Sequence, residues 1–235
     1  MDIIMILFGI AWAGALFGGF ALGNYRENRT HRVPRPLRMF SSLMLVGAAW
    51  AWAINAPEAW ATLALWVAAG MTFGLIGDLF MARLIIAGEH RVLGGIGAFG
   101  IGHVFYIVGI LAHANQAALD DTGALLGGWL VWLIVGAGAW FLTVWRTAPT
   151  RTTLHIASLP YALLLASTAG LATGLALQSG GFALMALGAA LFLLSDLILA
   201  LELFNDLEFT GIGDVIWLTY GPGQMLIVYT GWLIA

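Results

Sequence analysis

Eight apolar runs of spanning length, joined by connections too short to hold a folded domain, govern what this chain can become. They cover residues 3–23, 38–55, 59–82, 94–113, 123–145, 153–177, 182–204 and 212–234. About 20 residues of helix cross a bilayer core, and in hydrocarbon every backbone polar group must be satisfied within its own segment. The runs are therefore expected to be helices. Hydrophobic residues make up 61% of the 235 and charged residues 9%, with a mean hydropathy of +0.95. A soluble domain is about half apolar and about a quarter charged, so that class is excluded. The expectation is an all-α polytopic membrane protein of eight transmembrane helices, one integral domain over residues 1–235. The absence of cysteine excludes a disulfide framework and thiol catalysis. The first run does not read as a signal peptide: Asp2 stands where a basic region belongs, and the arginines follow the run.

All nine basic residues are arginines, and they lie at alternate connections. Arg26, Arg29, Arg32, Arg35 and Arg38 surround the first, Arg83 and Arg91 the third, Arg146 and Arg151 the fifth. The second and fourth carry Glu58, Asp120 and Asp121 with no arginine. The positive-inside rule then puts the odd connections in the cytoplasm and both termini on the other side. The seventh connection, with Asp206 and Glu208, dissents, but acidic residues weigh little in that rule. A bacterial inner membrane is the expected location. Trp60 and Trp232, near span ends, suit an interfacial belt.

Two aspartates interrupt this apolar background. Asp78 opens Asp78-Leu79-Phe80-Met81-Ala82 and Asp196 opens Asp196-Leu197-Ile198-Leu199-Ala200. A carboxylate deep in a span costs about 2.5–3.5 kcal/mol on insertion scales and calls for a partner or a function. They stand 118 positions apart, each in the third run of a four-run half (1–117 and 118–235). Both halves have an arginine- and proline-containing connection after their first run, which suggests a parallel 4+4 repeat. The alternative is convergent small-residue packing, and most of the thirty-one glycines, such as Gly14, Gly18, Gly19, Gly94, Gly95 and Gly97, are read as tight helix contacts.

At about 1.5 Å per residue, Asp78 lies about 7–8 Å and Asp196 about 12 Å from the arginine-bearing edge. His103, with Tyr106 one turn on, reaches about 14 Å, and Tyr220 and Gln224 lie about 12–18 Å deep. Gly221-Pro222-Gly223 between them removes a helix hydrogen bond and is expected to kink the last span. These residues converge on one pocket in the arginine-bearing half of the membrane. Plainer readings exist for each: His103 and Tyr106 as interhelical donors, Gln224 as a cap for the carbonyl freed by Pro222, and Asp78 as a snorkelling partner of Arg83. Asp214, Glu202 and Glu89 are expected to be solvated.

Four ordered motifs carry a family resemblance: Gly77-Asp78-Leu79-Phe80, Phe99 to Tyr106 around His103, Phe192-Leu193-Leu194-Ser195-Asp196, and Tyr220-Gly221-Pro222-Gly223-Gln224. Together they resemble the YhhN family of eight-helix membrane proteins, whose eukaryotic relatives include the transmembrane lysoplasmalogenase. The resemblance implies hydrolysis of the vinyl-ether bond of a lysoplasmalogen, giving a fatty aldehyde and a glycerophospho-base. Asp78 and Asp196 would be the catalytic pair, with His103, Tyr106, Ser195, Tyr220 and Gln224 in support. Arg83 and Arg91 would meet the lipid phosphate.

The expected partners are a lysophospholipid substrate and membrane lipid, with no nucleic acid. No cofactor or metal is expected. A zinc site of three histidines and an aspartate finds only His103 deep in a span. A proton-coupled transporter of lipid or a small molecule is the alternative, since repeats, broken helices and midplane acids also suit carriers.

Overall fold

The structure, a computed structural model, describes residues 2–25, 30–88 and 90–235. Arg26, Arg29 and Glu89 of the charge pattern lie outside the described residues. Eight long helical segments form where the apolar runs lie: α1 Asp2–Leu22, α2 Arg35–Asn55, α3 Glu58–Met81, α4 His90–Gln116, α5 Thr122–Trp145, α6 Thr153–Gln178, α7 Ala183–Asn205 and α8 Ile212–Ile234. Seven of them are long and apolar enough to cross a membrane. The eighth, α8, has the length (23 residues) but carries Asp214, Tyr220, Gln224 and Thr230, all turned into the protein. The chain is an integral membrane protein.

Helix ends follow local chemistry. Pro34 holds an extended backbone, and α2 starts at Arg35, three residues before the run suggested, with Pro36 in its first turn where no intrahelical N–H is needed. Asp121 caps α5 by accepting from the amides of Gly123 (2.8 Å) and Ala124 (3.2 Å). The segment α8 stays helical through Pro222. Gln224 does not serve the carbonyl that Pro222 frees; its side chain bonds Tyr106 and Tyr220 instead.

Six helices close a ring. Neighbours in order are α2, α3, α4, α6, α7 and α8, and α8 returns to α2. The first helix of each half lies outside it: α1 packs on α2, and α5 packs chiefly on α6. Each of these outer helices contains a π-helical turn, Gly14–Gly18 in α1 and Phe141–Trp145 in α5. Trp232 Nε1 donates to Asp2 Oδ1 at 3.2 Å, so the two chain ends meet at one end of the bundle.

Small residues set the ring's tightness only in part. A Cβ on Gly188 would fall 2.6 Å from the Gly223 carbonyl and one on Gly223 2.8 Å from the Gly188 carbonyl, so the α7 and α8 backbones touch. Gly19, Gly94 and Gly95 are also close contacts, whereas Gly14, Gly18 and Gly97 face open space.

The start of α8 departs from expectation. Asp214 is 2% exposed, not solvated. Its carboxylate accepts from the backbone amides of Arg32 (2.6 Å) and Val33 (3.1 Å), and its own amide donates to the Thr30 carbonyl at 3.3 Å. This clasp pins the described part of the first connection against α8 and brings His31 and Arg38 to the rim of the ring's interior.

Candidate active site

Five of the six ring helices send a side chain to the same place. The pocket there receives Arg38 from α2, Asp78 from α3, Phe99 from α4, Asp196 from α7 and Tyr220 from α8. Tyr161 of α6 stands behind Asp196. The polar cavity has a volume of about 430 Å³ and opens among the arginine-bearing connections, with Arg35, Arg83, Arg91 and Glu202 on its walls.

Asp78 is 3% exposed. Its Oδ2 accepts two hydroxyl hydrogens, from Ser42 of α2 at 2.5 Å and from Tyr220 of α8 at 3.0 Å. Behind Tyr220 the donors continue: Gln224 Nε2 donates to the Tyr220 hydroxyl at 3.4 Å, and the Tyr106 hydroxyl donates to Gln224 Oε1 at 2.8 Å. The chain of bonds thus runs from the bundle interior toward one carboxylate oxygen. Gly74 makes room for it, since a Cβ there would lie 2.8 Å from Gln224 Nε2.

Asp196 has different partners. Tyr161 of α6 donates to its Oδ2 through a short hydrogen bond. Ser195 Oγ lies 3.3 Å from Oδ1 but also donates to the Phe192 carbonyl at 2.7 Å. Asp196 lines a second, apolar cavity as well, which runs past Phe99, Trp140, Val144 and Leu165 and shares Met81, Leu199 and Leu203 with the polar one. The α5 π-turn borders this groove through Thr143 and Val144. Its Thr143 carbonyl is taken up by Asn205 Nδ2 at 2.6 Å. Asp196 therefore stands where a charged chamber meets a greasy one.

The sequence-expected residues divide. Tyr106, Tyr220 and Gln224 form the relay to Asp78, and Ser195 flanks Asp196. His103 is buried but lies on neither cavity: its Nδ1 meets Thr168 Oγ1 at 2.9 Å, its ring packs edge-on to Phe192 at 4.6 Å, and its Nε2 has no partner. Thr168 gives its own hydrogen to the Leu164 carbonyl (3.1 Å), so His103 is the donor of that pair through Nδ1–H. Among the described residues no three of His, Cys, Asp and Glu come together as a metal-holding set.

Four contributors escaped the sequence reading. Ser42, Tyr161 and Thr168 sit in apolar helices with no depth or charge signal to mark them. Arg38 was counted with the first connection, but it points into the polar cavity, stacks over Trp217 at 5.4 Å and leaves its buried Nε donor unpaired. Arg35 and Arg91 each give one bond to carbonyls at the end of α3, Ala82 at 3.3 Å and Met81 at 3.2 Å, and face the same space.

A helical membrane bundle with a buried carboxylate on α3, Asp78, and a half-buried one on α7, Asp196, set between a cationic chamber and an apolar groove, is the class of protein this fold defines. The chain matches the YhhN family model over residues 35–231 and belongs to the YhhN family. That match contains both aspartates and all their hydrogen-bond partners. No curated protein and no solved structure matches the chain.

Proposed function

We propose that this protein is a lysoplasmalogenase-like hydrolase that cleaves the vinyl-ether bond of a lysophospholipid, giving a fatty aldehyde and a glycerophospho-base. The observation that carries the reading is the meeting of the two cavities at Asp196. A lysolipid has one anionic headgroup and one chain, which match an arginine-walled chamber and an apolar groove that meet along Met81, Phe99, Asp196, Leu199 and Leu203. The bond between headgroup and chain would then lie beside the aspartates.

Two carboxyl groups suit that bond. Vinyl-ether hydrolysis begins with protonation of the carbon one removed from oxygen, which leaves an oxocarbenium ion for water to capture. One carboxylic acid supplies the proton, while a carboxylate stabilises the cation and activates the water. Paired carboxyls in glycosidases divide the labour in the same way, a likeness of chemistry and not of fold. Arg38 is the best placed cation for the phosphate, with Arg35, Arg83 and Arg91 around it.

The proposed setting is a bacterial inner membrane, with the arginine-bearing end in the cytoplasm and both termini outside. A 4+4 duplication is part of the proposal. It is supported by the outer position of α1 and α5, and by the second helix of each half giving a hydroxyl to the aspartate on the third, Ser42 to Asp78 and Tyr161 to Asp196.

The test is aldehyde release from a vinyl-ether lysolipid by purified protein in detergent. Turnover there also separates the hydrolase from a proton-coupled carrier, which has nothing to transport without two compartments. No aldehyde, together with substrate-driven proton flux in vesicles, would select the carrier.

A further inference from the structure

We infer that the apolar groove is a sideways passage through the wall of the ring, open to the bilayer between α5 and α7, and that it takes the chain of a single-chain, phosphate-bearing lipid directly from the leaflet on the arginine-bearing side. The class of lipid rests on the hydrolase reading above. The passage itself rests on the packing of α5, α6 and α7.

The groove is bordered from both sides of the ring. Met81 of α3 and Phe99 of α4 line it and also line the polar chamber in the interior. Ala139, Trp140 and Thr143 line it from α5, which stands outside the ring and packs on α6 and, at its π-turn, on α7. A cavity with walls on both sides has to pass between α6 and α7. Tyr161 and Asp196 mark that seam, since both border the groove and the α6 hydroxyl donates to the α7 carboxylate.

Beyond the seam the groove is a cleft, with α6 as its floor and α5 and α7 as its lips. The lips meet chiefly at the π-turn and diverge along the rest of α5. There Asn205 Nδ2 of α7 donates to the Thr143 carbonyl at 2.6 Å, which pins the arginine-side end of the cleft. Trp140 Nε1 donates to Ser158 Oγ at 3.0 Å and fixes the other lip to the floor. Among the described residues no further hydrogen bond joins α5 to α7. Ala139, Trp140 and Thr143 on one lip, and Leu197, Ala200 and Phe204 on the other, are all half-buried.

Size argues against a closed pocket that holds a whole chain. The groove has a volume of about 90 Å³. A protein cavity of about 150 Å³ admits one benzene ring, about six carbons. The groove therefore encloses only the first few carbons of a chain. A chain that fills one leaflet runs about 15 Å, half of a core about 30 Å thick. Its remainder lies beyond the lips, in lipid. Lipid is as apolar as the groove, so leaving the tail there costs little. The headgroup then enters the arginine-walled chamber from the side, and the bond between headgroup and chain comes to Asp196 at the seam.

Photolabelling in lipid nanodiscs tests the passage without any turnover. The probe is a saturated 1-alkyl lysophospholipid with a diazirine either beside the ether oxygen or at the end of the chain. The ether-end probe should label Trp140, Leu197 or Phe204. The tail-end probe should label exposed residues such as Ile134 and Leu194. Ala200→Trp overfills the cleft and should cut ether-end labelling by about tenfold or more. Ala139→Trp does the same from the opposite lip, which covers the case in which the first variant does not fold. Tail-end label on interior residues such as Met71 or Leu171, or ether-end labelling unchanged in the folded variants, would overturn the passage. If labelling behaves as expected but wild-type protein releases no aldehyde, the passage stands and the hydrolase reading falls. Aldehyde release without any label in the groove would do the reverse.

Discussion

Tyr220 on α8 donates its hydroxyl hydrogen to Asp78 on α3 at 3.0 Å, across 142 positions of sequence. The bond ties the last helix to the third and closes the relay that begins at Tyr106. Its ring is held separately, edge-on to Phe99, Phe192 and Trp217. Function and packing of this tyrosine can therefore be pulled apart.

Tyr220→Phe keeps the ring contacts and deletes only the hydroxyl. A hydrogen bond to a charged group is worth about 1.5–3 kcal/mol, so aldehyde release should fall by about 10- to 150-fold, with a smaller loss of thermal midpoint than Tyr220→Ala, which also removes the ring contacts. Steady-state kinetics beside thermal unfolding in detergent checks both. Wild-type turnover in this variant would remove the relay from the mechanism.

Arg38→Gln removes the cation whose Nε is buried and unpaired. KM for a phosphate-bearing vinyl-ether lysolipid should rise by about tenfold or more, as expected for loss of a charge-assisted phosphate contact. The same variant should show little change with a 1-alkenyl glycerol that lacks phosphate. Equal losses on both substrates would assign Arg38 a role other than headgroup recognition.

Much of this architecture is legible in the sequence because spans are read from length and hydropathy, both local properties. The eight helices lie within a few residues of the apolar runs. Asp78 and Asp196 stand out because charge in a span is costly, and Tyr106, Tyr220 and Gln224 follow from depth. What depth does not reveal is facing. A membrane helix is apolar on its lipid side and its core side alike, so no amphipathic stripe says which way Ser42 or Tyr161 points. Ser42 next to Ser41 gives no hint that one caps a carbonyl, that of Arg38 at 2.7 Å, while the other holds Asp78. His103 has a similar depth, but its ring nitrogen meets Thr168 and its side chain lines neither cavity, which depth alone does not tell. Asp214 sits at a span end where solvation is the ordinary outcome, and only the fold of the first connection buries it.

The topology proposal predicts that a periplasm-dependent reporter fused after Ala235 is active and that fusions at Arg29 or Arg151 are not. The Asp2–Trp232 contact puts both chain ends on one side, away from the arginine-walled mouth. Cytoplasmic activity of the C-terminal fusion would invert the orientation and place the headgroup chamber outside.

His31 in the first connection gives the fold a pH dependence. Burial, helped by the Arg38 charge and opposed by Asp214, pushes its imidazole down to about 4 from an ordinary 6.5. Between those values the unfolded chain binds a proton that the folded one refuses. Stability is therefore intact above about pH 6.5, is lost as pH falls toward about 4, and then levels off for this group. Thermal unfolding in detergent across that range should show the decline, and His31→Asn should flatten it. An unchanged slope in the variant would assign the decline to other groups.

The two-carboxylate mechanism itself is tested by aldehyde release from Asp78→Asn, Asp196→Asn and the double variant, each confirmed as folded after purification. Each single change should remove nearly all turnover, and the double should be little worse than either, because residues that act as a unit are not additive. Near wild-type release by either single variant would contradict the account.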